Sequence, residues 1–359
     1  MEYKHIFDFA RETDTILILN GGEGAIDKNF FYLTGADSGI FEGSALVVTP
    51  DRLKIITSIL EEQSAKSTGL DVTVFKTNEE KKKILQEELK GINTIGLNYS
   101  ALTLELYKDL LRIIPDKEFI DVSNTIAEAR RLKTPEELEK IRKAASIGSE
   151  AIQNVWPQLK EGMTESEVAA LVAYEMMKLG ATEPSFSTIV GFGPNSSIPH
   201  YSPGSRKLKK NDFVLIDFGA LYKRYCSDIT RTVVFGRASE EQKEMYNTVK
   251  KAQTDSMNTI KANVNGRDVD GVARKVIDST KYKGTFIHSL GHGLGMDVHD
   301  HPALSGGYDF PLKENMVVTV EPGIYVPGFG GVRIEDDVIV KRDGFEKITT
   351  APSDLIEIS

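Results

Sequence analysis

Residues 212–235 read DFVLIDFGALYKRYCSDITRTVVF. Two apolar, strand-like runs flank a short polar break, and each run carries an acid: Asp217 in the first, Asp228 in the second. Burying one isolated carboxylate costs several kcal/mol even after relaxation, so the pair needs a reason. The same anomaly recurs downstream in Glu321 of MVVTVEPG, Glu335 of GGVRIEDDVIV and His292 of HSLGHGLG. Four carboxylates and one imidazole in apolar surroundings demand cationic compensation. Two divalent ions would supply it, which is the charge balance of a dinuclear metallohydrolase.

Spacing refines the expectation. A hairpin turning at Tyr222-Lys223 sets Asp217 opposite Asp228, with Cβ atoms roughly 4.5–5.5 Å apart, close enough to share ions about 3.5–4 Å from each other. The break lacks the Asn-Gly type of sequence that tight two-residue loops prefer. Arg333 and Glu335 fall on one face of a later strand, which places Arg333 to orient Glu335.

At this point the residues resemble the pita-bread metallopeptidases, the family of Xaa-Pro aminopeptidase, Xaa-Pro dipeptidase (prolidase) and methionine aminopeptidase. The resemblance rests on IDFGA with Asp217, SDITRT with Asp228, GHGLGMDVH with His292, VEPGIY with Glu321 and VRIED with Glu335, and more loosely on NFFYLTG (29–35) and RRLKTPEELEKIRKA (130–144). It implies that Asp228 and Glu335 bridge two metal ions, that Asp217 binds one, and that His292 and Glu321 bind the other. It also implies that His200 in PHYSPG and His299 in DVHDHP donate to the developing oxyanion. His288 matches a third pocket histidine, whereas His301 has no counterpart. Glu321 takes the general acid–base role. Carboxylate-rich ligation favours Mn²⁺ or Co²⁺, with Zn²⁺ or Fe²⁺ as alternatives. The substrates implied are proline-containing peptides and the assembly a homodimer.

Substrate length turns on one position. Prolidases of this family often carry an arginine four residues after the VH histidine, where this chain has Ala303. That places an Xaa-Pro aminopeptidase first and Xaa-Pro dipeptidase second. A non-catalytic peptide-binding module of the same fold is disfavoured, because such relatives lose ligands and all five are here.

The fold class expected is α+β: a C-terminal pita-bread (creatinase/aminopeptidase-like) domain over 126–359 behind a smaller N-terminal α/β domain over 1–125. In the latter, TILILN, SALVVT, KIITSI, VTVF and NTIGLN read as strands and 79–90 and 101–114 as helices. Helix starts are marked at Thr134-Pro135-Glu136-Glu137, at Thr164 with Glu167, and at Ser239 with Gln242. The last two open segments 165–179 and 240–262.

With 53 acidic against 44 basic residues, a net charge of −9 argues against a nucleic-acid partner. GFGPNSS at 191–197 lacks the third glycine of a dinucleotide fingerprint. No apolar run approaches the 18 residues of a membrane span, and the opening MEYKHIFDFARETD has no apolar core of a secretory signal. One cysteine, Cys226, excludes an intramolecular disulfide. A cytoplasmic location is the expectation.

Overall fold

The computed structural model describes residues 3–8, 10 and 12–358. Residues 1, 2, 9 and 11 of the opening stretch read above lie outside the described residues. The chain divides into two compact units, Met1–Arg130 and Arg131–Ser359. The division falls inside the helix Ser123–Arg131, which runs across the boundary expected at 125.

The first unit is a six-stranded sheet of β1 (Ile16–Leu19), β2 (Ala45–Thr49), β3 (Arg52–Ser58), β4 (Asp71–Phe75), β5 (Thr94–Leu97) and β6 (Glu118–Asp121), in the order β4-β3-β2-β1-β5-β6. Around it lie α1 (Lys28–Thr34), α2 (Glu62–Ser67), α3 (Asn78–Glu88), α4 (Leu104–Ile113) and α5 (Ser123–Arg131). Leu85 and Leu110 carry α3 and α4 into a core with Leu17, Val47, Ile56 and Ile95. The five strands read from sequence all form. β6 escaped notice because EFID is a half-exposed edge strand with acids at both ends.

In the second unit α6 (Pro135–Val155) and α7 (Glu165–Lys178) precede β7 (Glu183–Pro184), β8 (Ile189–Phe192), β9 (Asp212–Phe218), β10 (Ala220–Tyr222), β11 (Tyr225–Cys226) and β12 (Ile229–Phe235). Then come α8 (Glu240–Met257), α9 (Gly266–Asp278), β13 (Gly291–Gly293), β14 (Asp300–Leu304), β15 (Val317–Val320), β16 (Gly323–Val326), β17 (Gly330–Arg333), β18 (Asp336–Lys341), β19 (Gly344–Lys347) and β20 (Glu357–Ile358). The two main sheets run β20-β12-β9-β8 and β14-β13-β15-β18-β19. Full capping boxes start α6, α7 and α8 at Thr134, Thr164 and Ser239. Each satisfies amide donors that a helix start otherwise leaves open. α8 ends at Met257 rather than 262, because Thr259 Oγ1 donates to the Ser256 carbonyl and the chain turns Ile260 into the core.

One expectation is corrected. The hairpin turns at Lys223-Arg224, both at positive φ (47° and 70°), not at Tyr222-Lys223. Tyr222 pairs with Tyr225, and the same frame carries through to Asp217 opposite Thr230. Asp217 and Asp228 are therefore not cross-strand partners. The polar pair Lys-Arg adopts the left-handed turn that matches strand twist, although neither residue signals it. Asp228 lies between β11 and β12, and Gly219, between β9 and β10, packs so closely on that arm that a Cβ there would lie 1.8 Å from the Ser227 carbonyl oxygen.

Gly219→Ala is accordingly expected to lower stability by at least about 1–3 kcal/mol, the range for overpacking, and to displace Asp228. Urea titration measures the first effect and divalent-ion titration the second. An unchanged midpoint with unchanged ion binding would show that this arm yields freely.

Candidate metal centre

Asp217 near the end of β9 and Asp228 just before β12 enter one cavity of about 550 Å³ from the hairpin. His292 arrives on β13, Glu321 directly after β15, and Glu335 between β17 and β18. Strand ends let a side chain turn inwards without breaking the ladder. All five named acids and histidine line this cavity together with His200, His288, His299, Ala303 and Arg333. His301 does not: it is exposed and stacks on Tyr308, with ring centroids 6.5 Å apart.

Ligand-capable atoms of Asp228, His292 and Glu335 lie within 4.8 Å of one another. His292 Nδ1 is 3.0 Å from the Gly293 carbonyl, so that nitrogen carries the proton. The bare lone pair of Nε2 then faces Asp228 Oδ2 at 3.6 Å and Glu321 Oε1 at 3.4 Å. A lone pair aimed at two carboxylate oxygens repels them unless a cation stands between. Asp217 Oδ1, Asp228 Oδ1 and Glu335 Oε1 are buried without any hydrogen-bond partner. Buried polar atoms are rarely left so. Three orphaned acid oxygens and a free imidazole nitrogen fit hard divalent cations.

The other oxygens of Asp217 and Glu335 are held. Arg333 donates to Asp217 Oδ2, to Tyr325 Oη at 2.8 Å and, through Nε, to Thr230 Oγ1 at 3.0 Å. Thr230 Oγ1 donates in turn to Glu335 Oε2 at 2.7 Å. The Asp228 amide donates to Asp337 Oδ2 at 3.0 Å, and Thr319 Oγ1 lies 3.4 Å from Glu321 Oε1. Arg333 thus holds Asp217 directly and reaches Glu335 through the Thr230 hydroxyl. Sequence reading missed Thr230, Thr319 and Tyr325. Thr230 and Thr319 each stand two residues from an acid, on the same strand face, and that alternation was the available signal.

Burial, reinforced by neighbouring acids, pushes the Asp228 and Glu335 carboxyls well above their usual range. Burial raises Glu321 to about 8 against the opposing pull of Arg333. Asp337 is raised well above its range by burial too. Burial depresses His292 and His288 to about 4, and His288 Nε2 meets Tyr325 Oη at 2.8 Å. His200 and His299 are exposed in the cavity, and the His299 ring is 4.4 Å from that of His292.

Residues 139–342 match Metallopeptidase family M24. The chain belongs to this family. Residues 10–132 match the Creatinase/Prolidase N-terminal domain. An Xaa-Pro dipeptidase of Pyrococcus furiosus is 38% identical over 346 residues, spanning 93% of this chain and 96% of that protein. The X-Pro aminopeptidase of Thermotoga maritima superimposes with a TM-score of 0.92 at 36% identity, over 98% of this chain and all of the other (100%). The prolidase of Pyrococcus horikoshii gives 0.89 at 36%, over 98% and 99%. This M24 chain therefore has the expected pita-bread fold behind an α/β creatinase-type domain, and it is a metallopeptidase.

Protonation gives a test of the centre. A raised carboxyl pKa means that the folded metal-free protein holds protons that the unfolded chain releases, so stability falls as pH rises through the interval between the two values. The depressed histidines act the opposite way, but only between about 4 and 6.5. Between about 6.5 and 8 the effect of His288 and His292 is spent and the raised acids act, Glu321 among them. Chelated protein should lose stability across that interval, by up to about 1.4 kcal/mol per pH unit for each acid titrating, and Mn²⁺ should abolish the slope. Calorimetric melting at four pH values with and without the ion decides; a flat metal-free profile would contradict the raised, buried state of these acids.

Proposed function

We propose that this chain is an Xaa-Pro dipeptidase using two divalent metal ions. The observation that carries the reading is the convergence of orphaned acid oxygens and the His292 lone pair on one cavity, in a chain similar over most of its length to an Xaa-Pro dipeptidase. Asp217, Asp228, His292, Glu321 and Glu335 would hold the two ions between them. Bound there, the ions would polarise the scissile carbonyl and make a water acidic enough to attack near neutral pH.

The chain's own residues do the rest. Glu321 accepts a proton from the attacking water and passes it to the proline nitrogen, which leaves as a secondary amine. His200 and His299 donate to the oxyanion from the open side of the cavity. Arg333 keeps Asp217 turned inwards, and His288 with Tyr325 closes the wall beside it.

Ala303 placed the aminopeptidase first in the sequence reading, and that order is reversed here. Ala303 does line the cavity, opposite His292 across β13 and β14, so no guanidinium stands there for a free carboxylate. The curated relatives named Xaa-Pro dipeptidase weigh more, since they match nearly the whole chain. The aminopeptidase remains the second reading, supported by Ala303 and by the likeness to the Thermotoga maritima structure. The oxygen-rich donor set favours Mn²⁺ or Co²⁺ as the ions. A homodimer in the cytoplasm completes the proposal; among the described residues no helix is long and apolar enough to cross a membrane.

Hydrolysis of Xaa-Pro against Xaa-Pro-Yaa peptides by chelated and by Mn²⁺- or Co²⁺-loaded protein tests it. Expected are no turnover without metal and a higher kcat/KM on the dipeptide. Glu321→Gln should lower kcat by roughly 10²–10⁴. Equal or better cleavage of the tripeptide would return the aminopeptidase to first place, and full turnover in metal-free protein would sink the metal chemistry.

A further inference from the structure

The two ligand strands are tied together from behind by a residue that the mechanism does not use. β15 and β18 pair up to Val320 opposite Asp336, and there the ladder ends. Glu321 and Glu335 each lie one residue beyond that end. The backbone pairing that fixes the strands therefore stops just short of the two side chains whose spacing matters. At that point Gln253, from the buried face of α8 and itself 0% exposed, inserts its carboxamide. Gln253 Nε2 donates to the Val320 carbonyl at 3.2 Å, the Ile334 carbonyl at 3.1 Å and Asp336 Oδ2 at 3.0 Å. Val320 and Ile334 are the residues immediately before Glu321 and Glu335.

The amide orientation is fixed by its surroundings. Three acceptors face one end of the group, so the nitrogen must be there, its two hydrogens spread over three oxygens. The same placement leaves Gln253 Oε1 buried with no partner. An amide chosen for stability alone would not be sited to orphan its own oxygen. Its return lies in what the nitrogen holds.

A second group completes the clamp. Arg231, 1% exposed, donates through Nη1 to the Glu335 carbonyl at 2.5 Å and through Nη2 to Asp336 Oδ1 at 2.6 Å. Asp336 is thus gripped by Arg231 on one oxygen and Gln253 on the other, and the carbonyls on both sides of the Glu335 α-carbon are held.

We propose that Gln253 is a positioning residue for the metal centre: its carboxamide sets the separation of Glu321 and Glu335 by holding the carbonyls that precede them. This rests on the reading of those two acids as metal ligands. Loss of the clamp loosens ion binding while leaving the reacting groups chemically intact, as for other groups that orient ligands from behind.

The test is calorimetric titration of chelated protein with Mn²⁺, in wild type, Gln253→Leu and Gln253→Met. Expected is a cooperative melt in the variants with Mn²⁺ bound roughly 10- to 100-fold more weakly. The Mn²⁺ concentration for half-maximal activity should rise by the same factor, whereas kcat at saturating Mn²⁺ returns to within about threefold of wild type and KM for peptide is unmoved. Folded variants that bind Mn²⁺ as wild type does would overturn the proposal. So would failure of both variants to fold, since Gln253 would then serve the core alone. Wild type that binds no Mn²⁺ would instead strike at the metal reading itself, which keeps the two failures apart.

Discussion

The cost of burying several acids side by side governs this structure. Asp217, Asp228, Glu321 and Glu335 share one cavity, and Asp337 stands behind Asp228. Among the described residues that line it, only Arg333 offers a permanent positive charge, and that charge is committed to Asp217. Low-dielectric surroundings magnify what like charges cost each other. Much of the remaining construction can be read as management of that cost. Thr230 and Thr319 donate to single oxygens, a backbone amide meets Asp337, and strand ends rather than strand centres present the acids. What these devices leave over is a set of oxygens aimed at a common space, and that residue of unmet demand is the chemical identity of the site.

Much of this was legible in the chain, for reasons that differ between elements. The five ligand-type residues stood out because each interrupts an apolar run, and such an interruption is expensive wherever the fold puts it. The starts of α6, α7 and α8 were legible because a capping box is complete within four residues. The hairpin register was not. Lys223 and Arg224 adopt positive φ without the glycine or asparagine that would announce it, and a turn displaced by one residue moves every cross-strand partner by two. The pairing of Asp217 with Thr230 follows. Gln253 was equally invisible, since nothing near it in sequence tells an amide in an amphipathic helix what it will meet far down the chain.

Substrate length shows a different limit. Position 303 is in the cavity as its spacing from His299 implied, so the geometric part of that inference stands. Its weight did not. An absent side chain removes one way to hold a carboxylate without removing the need, and the three histidines His200, His288 and His299 that line the same cavity are other donors within it. Reading a missing group is weaker than reading a present one.

The clamp and the hydrogen bonds around the acids join points far apart in the chain: Asp228 to Asp337 across 109 positions, Thr230 to Glu335 across 105. Contacts so distant form slowly, after local structure is in place. The unfolded chain therefore holds no assembled site, and ions that bind only the finished one shift the balance towards the native state by mass action. On the proposed reading, the concentration of free divalent ion in the surrounding fluid sets how long each molecule survives proteolysis as well as how fast it works. A protein starved of its ions is then idle and short-lived for one and the same electrostatic reason.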